Sequence, residues 1–353
     1  MRRSSEVLLS STLHDPRGVF LETLPKVTVK VLENYAGWVI NTTKSTNPNV
    51  KQQIKSYWNQ GLFFSETDPK NTVASDPIEN DHLFLLNKTL KLSKRLNLRK
   101  IQYTDGDRII VAAKYYPRDF QDIATMATSI DKELSYLNFR RSGEDYLTHH
   151  PPLVQTELEF NRLYSEVFGI NLDIGSTAHV FSTDVLEAVT SRSSQMEPVS
   201  FPHPKWLLIA KEMGARINSV ETLNVLTFET PEQFREEAEQ YVLDNFVARV
   251  IPTENGVFHF PLRKEDLTRK YSLLQQVYMR TLGLKSTISP KEWDNRFRTE
   301  QQYLELLRNH LHIFNFDRNQ EDAFKKELED VLISLANRRQ IILKSLPSEP
   351  KLE

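Results

Sequence analysis

Two carboxylates separated by one glycine, Asp105-Gly106-Asp107, interrupt a run of apolar and β-branched residues that starts at Ile101 and resumes at Ile109. Residues two apart in an extended chain point the same way. Read as one strand over 101–111, the segment therefore places both aspartates on one side, with Gly106 allowing a tight bend and close approach of a ligand to the main chain. Two hard oxygen ligands with no other cation between them suit Mg²⁺ or Mn²⁺ carrying phosphates, and such a pair neutralises a diphosphate leaving group. The same triplet also reads as an Asp-Gly hairpin turn, and a bare Asp-x-Asp arises often by chance. Arg108 follows directly and, on a strand, alternates to the face away from Asp107.

The elements around the triplet decide between these readings. Glu6–Ser11 reads as a strand ending in Ser11-Thr12, Gly37–Asn41 as a second strand before the polar loop Thr42–Pro48, and Leu62–Phe64 as a third. Between them, Phe20–Glu33 and Asn49–Asn59 read as helices, and Leu83–Leu96 is an amphipathic helix leading to the aspartate strand. Strands separated by helices of this length predict an α/β fold, a mostly parallel sheet with helices on both faces. Open sheets of that kind bind ligands beyond the carboxyl ends of their strands, which is where Ser11, Thr12, Asn41, Thr42 and the aspartates fall. After Pro117 the chain reads as helix to about Asp131, strand over Leu134–Phe139, polar over Arg140–Pro152, helix over Thr156–Phe168, a small strand within Asp173–Ser182 and helix over Thr183–Ser191.

From about Thr230 the pattern turns helical. Thr230-Pro231-Glu232-Gln233 and Ser289-Pro290-Lys291-Glu292 carry helix-start signatures. Phe324, Leu328, Val331, Leu332 and Leu335 form one helical stripe, read as a packing face or a groove for a protein partner. The expected organisation is a domain over 1–230, a mainly helical region over 231–345 and a disordered tail over 346–353.

Composition narrows the classes. The 353 residues include 45 basic and 47 acidic side chains and no cysteine. A formal charge of −2 argues against nucleic acid as main partner, and the absence of cysteine excludes disulfides, thiolate zinc sites and cysteine nucleophiles. Val7-Leu8-Leu9 is too short for a signal peptide, and no apolar run reaches transmembrane length. The expectation is a cytoplasmic protein without a transmembrane segment.

A Thr-ended first strand, several βα units, a strand closing in Asp-x-Asp and a second half-site downstream together resemble the GT-A glycosyltransferases, the nucleotide-diphospho-sugar transferases, over about residues 5–230. The resemblance implies that Asp105 and Asp107 hold Mn²⁺ or Mg²⁺ on the donor diphosphate. It also implies that Ser11, Thr12, Asn41 and Thr42 contact the nucleotide, although the acidic residue often found at the second strand end is missing. Phe201–Ile217 is similar to the family segment in which an acidic pair opens a helix ending in Gly-x-Arg/Lys-Ile, the aspartate of the pair being the base in inverting members. His203 and Pro204 stand there in this chain. His203 is then a base, a third metal ligand or a surface histidine at a helix start. Phe139–Asn161 resembles a segment of a poorly characterised microbial branch of these proteins. That match implies phosphate or acceptor contacts from Arg140, Arg141, His150 and Glu157, whereas their types alone also fit a solvated turn, a structural histidine pair and a surface Glu157–Asn161 pair.

The expected function is a metal-dependent glycosyltransferase of hexosyltransferase type, moving a sugar from a nucleotide-diphosphate donor to an acceptor the sequence does not specify. Two other classes remain: a non-catalytic GT-A-like protein that binds a ligand or a protein partner through its C-terminal helices, and another metal-dependent phosphate enzyme. Residues 10–20 contain only Gly18, too few glycines for the phosphate loop of a nucleotidyltransferase.

Overall fold

A computed structural model describes residues 5–57, 60–67, 74, 76–143, 145, 149, 151–226, 252–253, 256–257 and 290–345. Contacts divide the chain into two compact units, one of residues 1–142 and 170–226, the other of residues 143–169 and 227–353.

The first unit is built on a seven-stranded sheet. Its strands are β1 (Val7–Leu13), β2 (Gly37–Thr42), β3 (Leu62–Glu66), β4 (Lys100–Thr104), β5 (Ser135–Arg141), β6 (Ala178–Ser182) and β7 (Arg216–Thr222). They lie in the order β3-β2-β1-β4-β6-β5-β7. The first four in that order are mutually parallel, β6 runs antiparallel to both neighbours, and β5 and β7 are parallel. This mixed, mostly parallel sheet with flanking helices, together with further helices at the C-terminal end, is an α/β fold.

Alternation along the strands assigns the two faces. Val7, Leu9, Trp38 and Ile40 join one core with α1 (Leu24–Asn34), α2 (Pro48–Ser56), α4 (Gly106–Tyr115) and α5 (Pro117–Ser129). The other face packs against α3 (Pro77–Leu96), α7 (Thr183–Arg192) and α8 (His203–Glu212). There Ser10 Oγ meets Thr89 Oγ1 of α3 at 2.9 Å. Asp76 caps α3 by accepting from the Ile78 and Glu79 amides, and Asn97 ends it in the left-handed conformation. A wholly buried ion pair, Lys205 to Glu79 at 2.6 Å, ties α8 to α3. Burial lowers the lysine pKa and raises that of the glutamate, each shift opposed by the partner charge.

One expectation is corrected here. Residues 101–111 are not a single strand: β4 ends at Thr104 and α4 begins at Gly106. The reason is pairing. The ladders to β1 and β6 stop at Tyr103 and Thr104, and backbone groups beyond that point must satisfy one another. Helical bonding starts at once, with the Ile109 amide donating to the Asp105 carbonyl at 3.1 Å. Ile109, Ile110 and Val111 are β-branched, but tertiary burial on α4 overrides their strand preference.

The second unit contains α6 (Pro151–Phe168), α9 (Pro290–Asn309) and α10 (Arg318–Ser345). Tyr164 of α6 donates to the Tyr303 carbonyl of α9 at 3.0 Å, and the Phe160 and Tyr303 rings meet edge to face. Glu300, buried on α9, is held by Arg338 of α10 at 3.1 Å, and burial pushes its pKa up to about 8. Phe324, Leu328 and Leu335 of the C-terminal stripe are buried, as a packing face requires. Pro290 opens its helix as expected, whereas the Thr230 capping signature and the tail lie outside the described residues.

Candidate functional site

The register carries β1, β2, β3 and β4 to a common carboxyl edge, joined by the N-terminal end of β6 and the C-terminal ends of β5 and β7. The edge therefore collects Thr12, Thr42, Glu66, Asp105, Thr177, Arg141 and Thr222 from elements far apart in sequence.

Asp105 sits at the N-cap of α4, yet its side chain makes no capping hydrogen bond. An N-cap aspartate ordinarily accepts from the second or third helical amide. Here Oδ1 instead accepts from the Tyr103 hydroxyl at 2.6 Å and from Thr12 Oγ1 at 3.2 Å, with Thr12 and Tyr103 themselves 2.9 Å apart. Both contacts fall on Oδ1, and Oδ2 makes no hydrogen bond among the described residues. Asp107 lies in the first turn of α4, half-buried, with Oδ1 accepting from the Arg108 amide at 2.7 Å. The two carboxylates thus flank a strand-to-helix turn rather than line one side of a strand.

Gly106 is explained by packing. A Cβ there would meet the Thr12 carbonyl oxygen at 2.9 Å and Leu13 Cβ at 3.2 Å, so the close approach it permits is that of β1's end. Arg108, also on the helix, donates to the Leu226 carbonyl at 3.0 Å.

The remaining nucleotide candidates divide. Ser11 is fully buried and accepts from the Trp38 indole at 3.0 Å, a bond internal to the sheet. Asn41 donates to Thr67 Oγ1 at 2.8 Å, while its Oδ1 and Thr42 Oγ1 are buried with no partner among the described residues. Arg141 engages Asp173 through both Nε (2.7 Å) and Nη2 (2.6 Å), a buried bidentate pair that Asp173 extends to the Arg141 amide at 3.0 Å. Arg140 pairs with Glu221 at 3.4 Å at the rim. Glu157 lies buried on α6 in the second unit, and His150 is outside the described residues.

His203 is not a surface histidine. It opens α8 with 1% of its surface exposed. Its ring lies 4.8 Å from Trp206, 5.0 Å from His179, 5.5 Å from His82 and 5.9 Å from Tyr103, centroid to centroid. Burial, reinforced by His179, His82 and Arg108, lowers its pKa well below the usual histidine value. His179 is held down to about 3, again by burial, with its Nδ1 2.8 Å from the Tyr136 hydroxyl. Both rings are therefore neutral at physiological pH.

Tyr103 links this cluster to the edge. Its ring packs at 5.2 Å from His82 and 5.3 Å from Trp206, and its hydroxyl holds Asp105. Burial and the Asp105 charge raise its pKa well above 10, so it stays a donor. Tyr103, Asp173, His82 and His179 were not singled out by sequence reasoning. Only the alternation of Ile101 and Tyr103 in β4 hints at Tyr103's inward position, and nothing local marks the other three.

Among the described residues no group of three or more His, Cys, Asp or Glu side chains forms a metal-binding cluster. Asp105 and Asp107 carry carboxylates, the ligand type that a hard divalent ion takes, and Mg²⁺ is commonly held by one or two of them and completed by water and substrate phosphates. Asp15, also buried at this edge, is committed elsewhere: it accepts from the Gly18, Val19 and Phe20 amides and shapes the loop after β1.

No family model matches the chain, and no curated protein does. Among solved structures it is similar to the crystal structure of S. aureus TarS 1-349, at 12% identity and a TM-score of 0.39, covering 96% of this chain and 90% of that one. A likeness of that size carries no argument about activity. Among the described residues no helix is long and apolar enough to cross a membrane.

Proposed function

We propose that the protein is a metal-dependent glycosyltransferase that transfers a sugar from a nucleotide-diphosphate donor, with Asp105 and Asp107 as the metal-binding carboxylates. The observation that carries the reading is the diverted cap: Asp105 forgoes the α4 amides and is clamped by Tyr103 and Thr12, with one oxygen left over. A carboxylate so held is prepared for a ligand at the strand edge. A bound Mn²⁺ or Mg²⁺ would supply electrostatic stabilisation of the departing diphosphate. Asn41 Oδ1 and Thr42 Oγ1 supply unsatisfied polar atoms at the neighbouring strand end, suited to base or ribose hydroxyls.

His203 fits a supporting part better than that of a base. A buried, neutral imidazole with a depressed pKa is a poor proton acceptor near neutral pH, whereas its ring packs against Tyr103 and so backs the Asp105 clamp. The same observation favours the second reading, a GT-A-like protein that binds its nucleotide ligand without turnover.

The test is a thermal-shift titration of UDP-, GDP-, ADP- and dTDP-sugars with and without Mn²⁺. The expected result is a Mn²⁺-dependent rise in melting temperature for one nucleotide class, abolished by Asp107→Ala. A nucleotide shift indifferent to metal, without sugar transfer, establishes the non-catalytic reading. No shift with any donor refutes both.

A further inference from the structure

A second concave surface lies on the first unit, along the outer strand of the sheet. β3 is the last strand in the order and, among the described residues, pairs only with β2. Beside it runs a groove of about 610 Å³ between β3 and α3. Its floor includes Val39 and Phe63, which are directly paired across β2 and β3, together with Phe84 of α3. Its wall carries Lys88, Lys91 and Arg95.

Among the described residues, no counter-charge meets the wall. Lys88, Lys91 and Arg95 are exposed and make no ion pair among the described residues; Lys88 only covers the Phe84 ring at 5.3 Å. Among the described residues, the one carboxylate lining the groove, Glu66, is already bound to Lys51 at 2.7 Å. Three like charges on one helix face repel mildly and are not needed for the fold. In a chain whose formal charge is −2, they form a local positive row with an apolar floor beneath it.

The length of the row selects the ligand. Residues 88 and 95 are seven apart on a helix, so the three charges extend over roughly 10 Å along the axis. A single phosphate would have to gather all three like-charged side chains onto one point, whereas a row of carboxylates leaves each cation its own partner. Carboxylates on alternate residues of an extended chain recur about every 7 Å on one side, which long Lys and Arg side chains can span. We propose that this groove docks an extended acidic segment of a partner protein, its carboxylates against Lys88, Lys91 and Arg95 and a bulky apolar side chain between them on the Phe63 floor. The groove shares Glu66 with the carboxyl edge but is not lined by Asp105, and the proposal does not depend on the reading given to that edge.

The test uses the full chain and a fluorescently labelled random copolymer of glutamate and tyrosine, followed by anisotropy at about 50 mM and about 300 mM NaCl. The copolymer is expected to bind at low salt and weaken at high salt. The triple variant K88E/K91E/R95E, all at exposed positions, is expected to melt like the parent and bind at least about tenfold more weakly. Poly-glutamate without tyrosine is expected to bind more weakly than the copolymer. Equal affinity for the two polymers removes the floor from the site and overturns the proposal. So does unchanged binding by the triple variant. Co-sedimentation with phosphatidylglycerol–phosphatidylcholine vesicles, without copolymer binding, overturns it in favour of a membrane surface.

Discussion

The bond from Tyr103 to Asp105 can be measured directly. The hydroxyl approaches Asp105 Oδ1 at 2.6 Å, from a side chain that is fully buried while its acceptor is half-exposed. A hydrogen bond to a charged partner contributes about 1.5–3 kcal/mol net. Partial solvation of Asp105 and the second donor, Thr12 at 3.2 Å, place this one near the low end, at about 1.5 kcal/mol. Tyr103→Phe keeps the ring against His82 and Trp206 and removes only the hydroxyl. Asp105→Asn keeps the shape and removes the charge. In urea unfolding of the parent, both single variants and the double variant, the coupling energy is expected to be about 1–2 kcal/mol. For a unit of this size, Tyr103→Phe alone is expected to lower the melting temperature by about 3–6 °C. A coupling below about 0.5 kcal/mol, within the usual error of additivity, refutes the clamp and with it the main support for a prepared carboxylate.

The buried histidines make stability pH-dependent. His179 and His203 stay neutral in the folded protein but protonate in the unfolded chain below about pH 6.5, so the unfolded state binds more protons there. Stability is complete above that pH and falls as pH drops toward the depressed folded values, by on the order of 1 kcal/mol per histidine at about pH 5.5; urea midpoints that stay flat from neutral pH to that point contradict neutral burial. Asp173→Asn strands the buried Arg141 guanidinium and is expected to cost about 3–5 kcal/mol in chemical unfolding, against less than about 1 kcal/mol if water reaches the pair. Gly106→Ala, favourable in an ordinary helix, is expected to destabilise by about 1–3 kcal/mol because the added methyl meets the Thr12 carbonyl; a stabilised variant would show that β1's end yields freely.

The strands and helices of the first unit follow from local signals. Short apolar runs mark β1 and β2, the Leu-rich amphipathic pattern over Leu83–Leu96 marks the body of α3 although not its start at Pro77, Pro117 opens α5, and in the second unit the 3.6-residue stripe from Phe324 predicts a buried face. The carboxyl edge was also readable, because βα alternation implies where parallel strands end. What the sequence could not decide is what each side chain meets there. Whether Ile109-Ile110-Val111 continues a strand or starts a helix depends on the length of β1 and β6 beside it, a property of residues some 90 positions upstream and 70 downstream. Arg141 is a free phosphate ligand or one half of a buried pair according to the position of Asp173, and neither residue carries that information alone. His203 reads from sequence as a base, a metal ligand or a surface histidine at a helix start; it is internal because α8 docks through Lys205 onto Glu79 of α3, bringing His82 and His179 around it. Period and turn chemistry act over a few residues and are written in the chain, whereas burial, ionisation and the choice of hydrogen-bond partner arise only when distant segments are packed together and water is excluded.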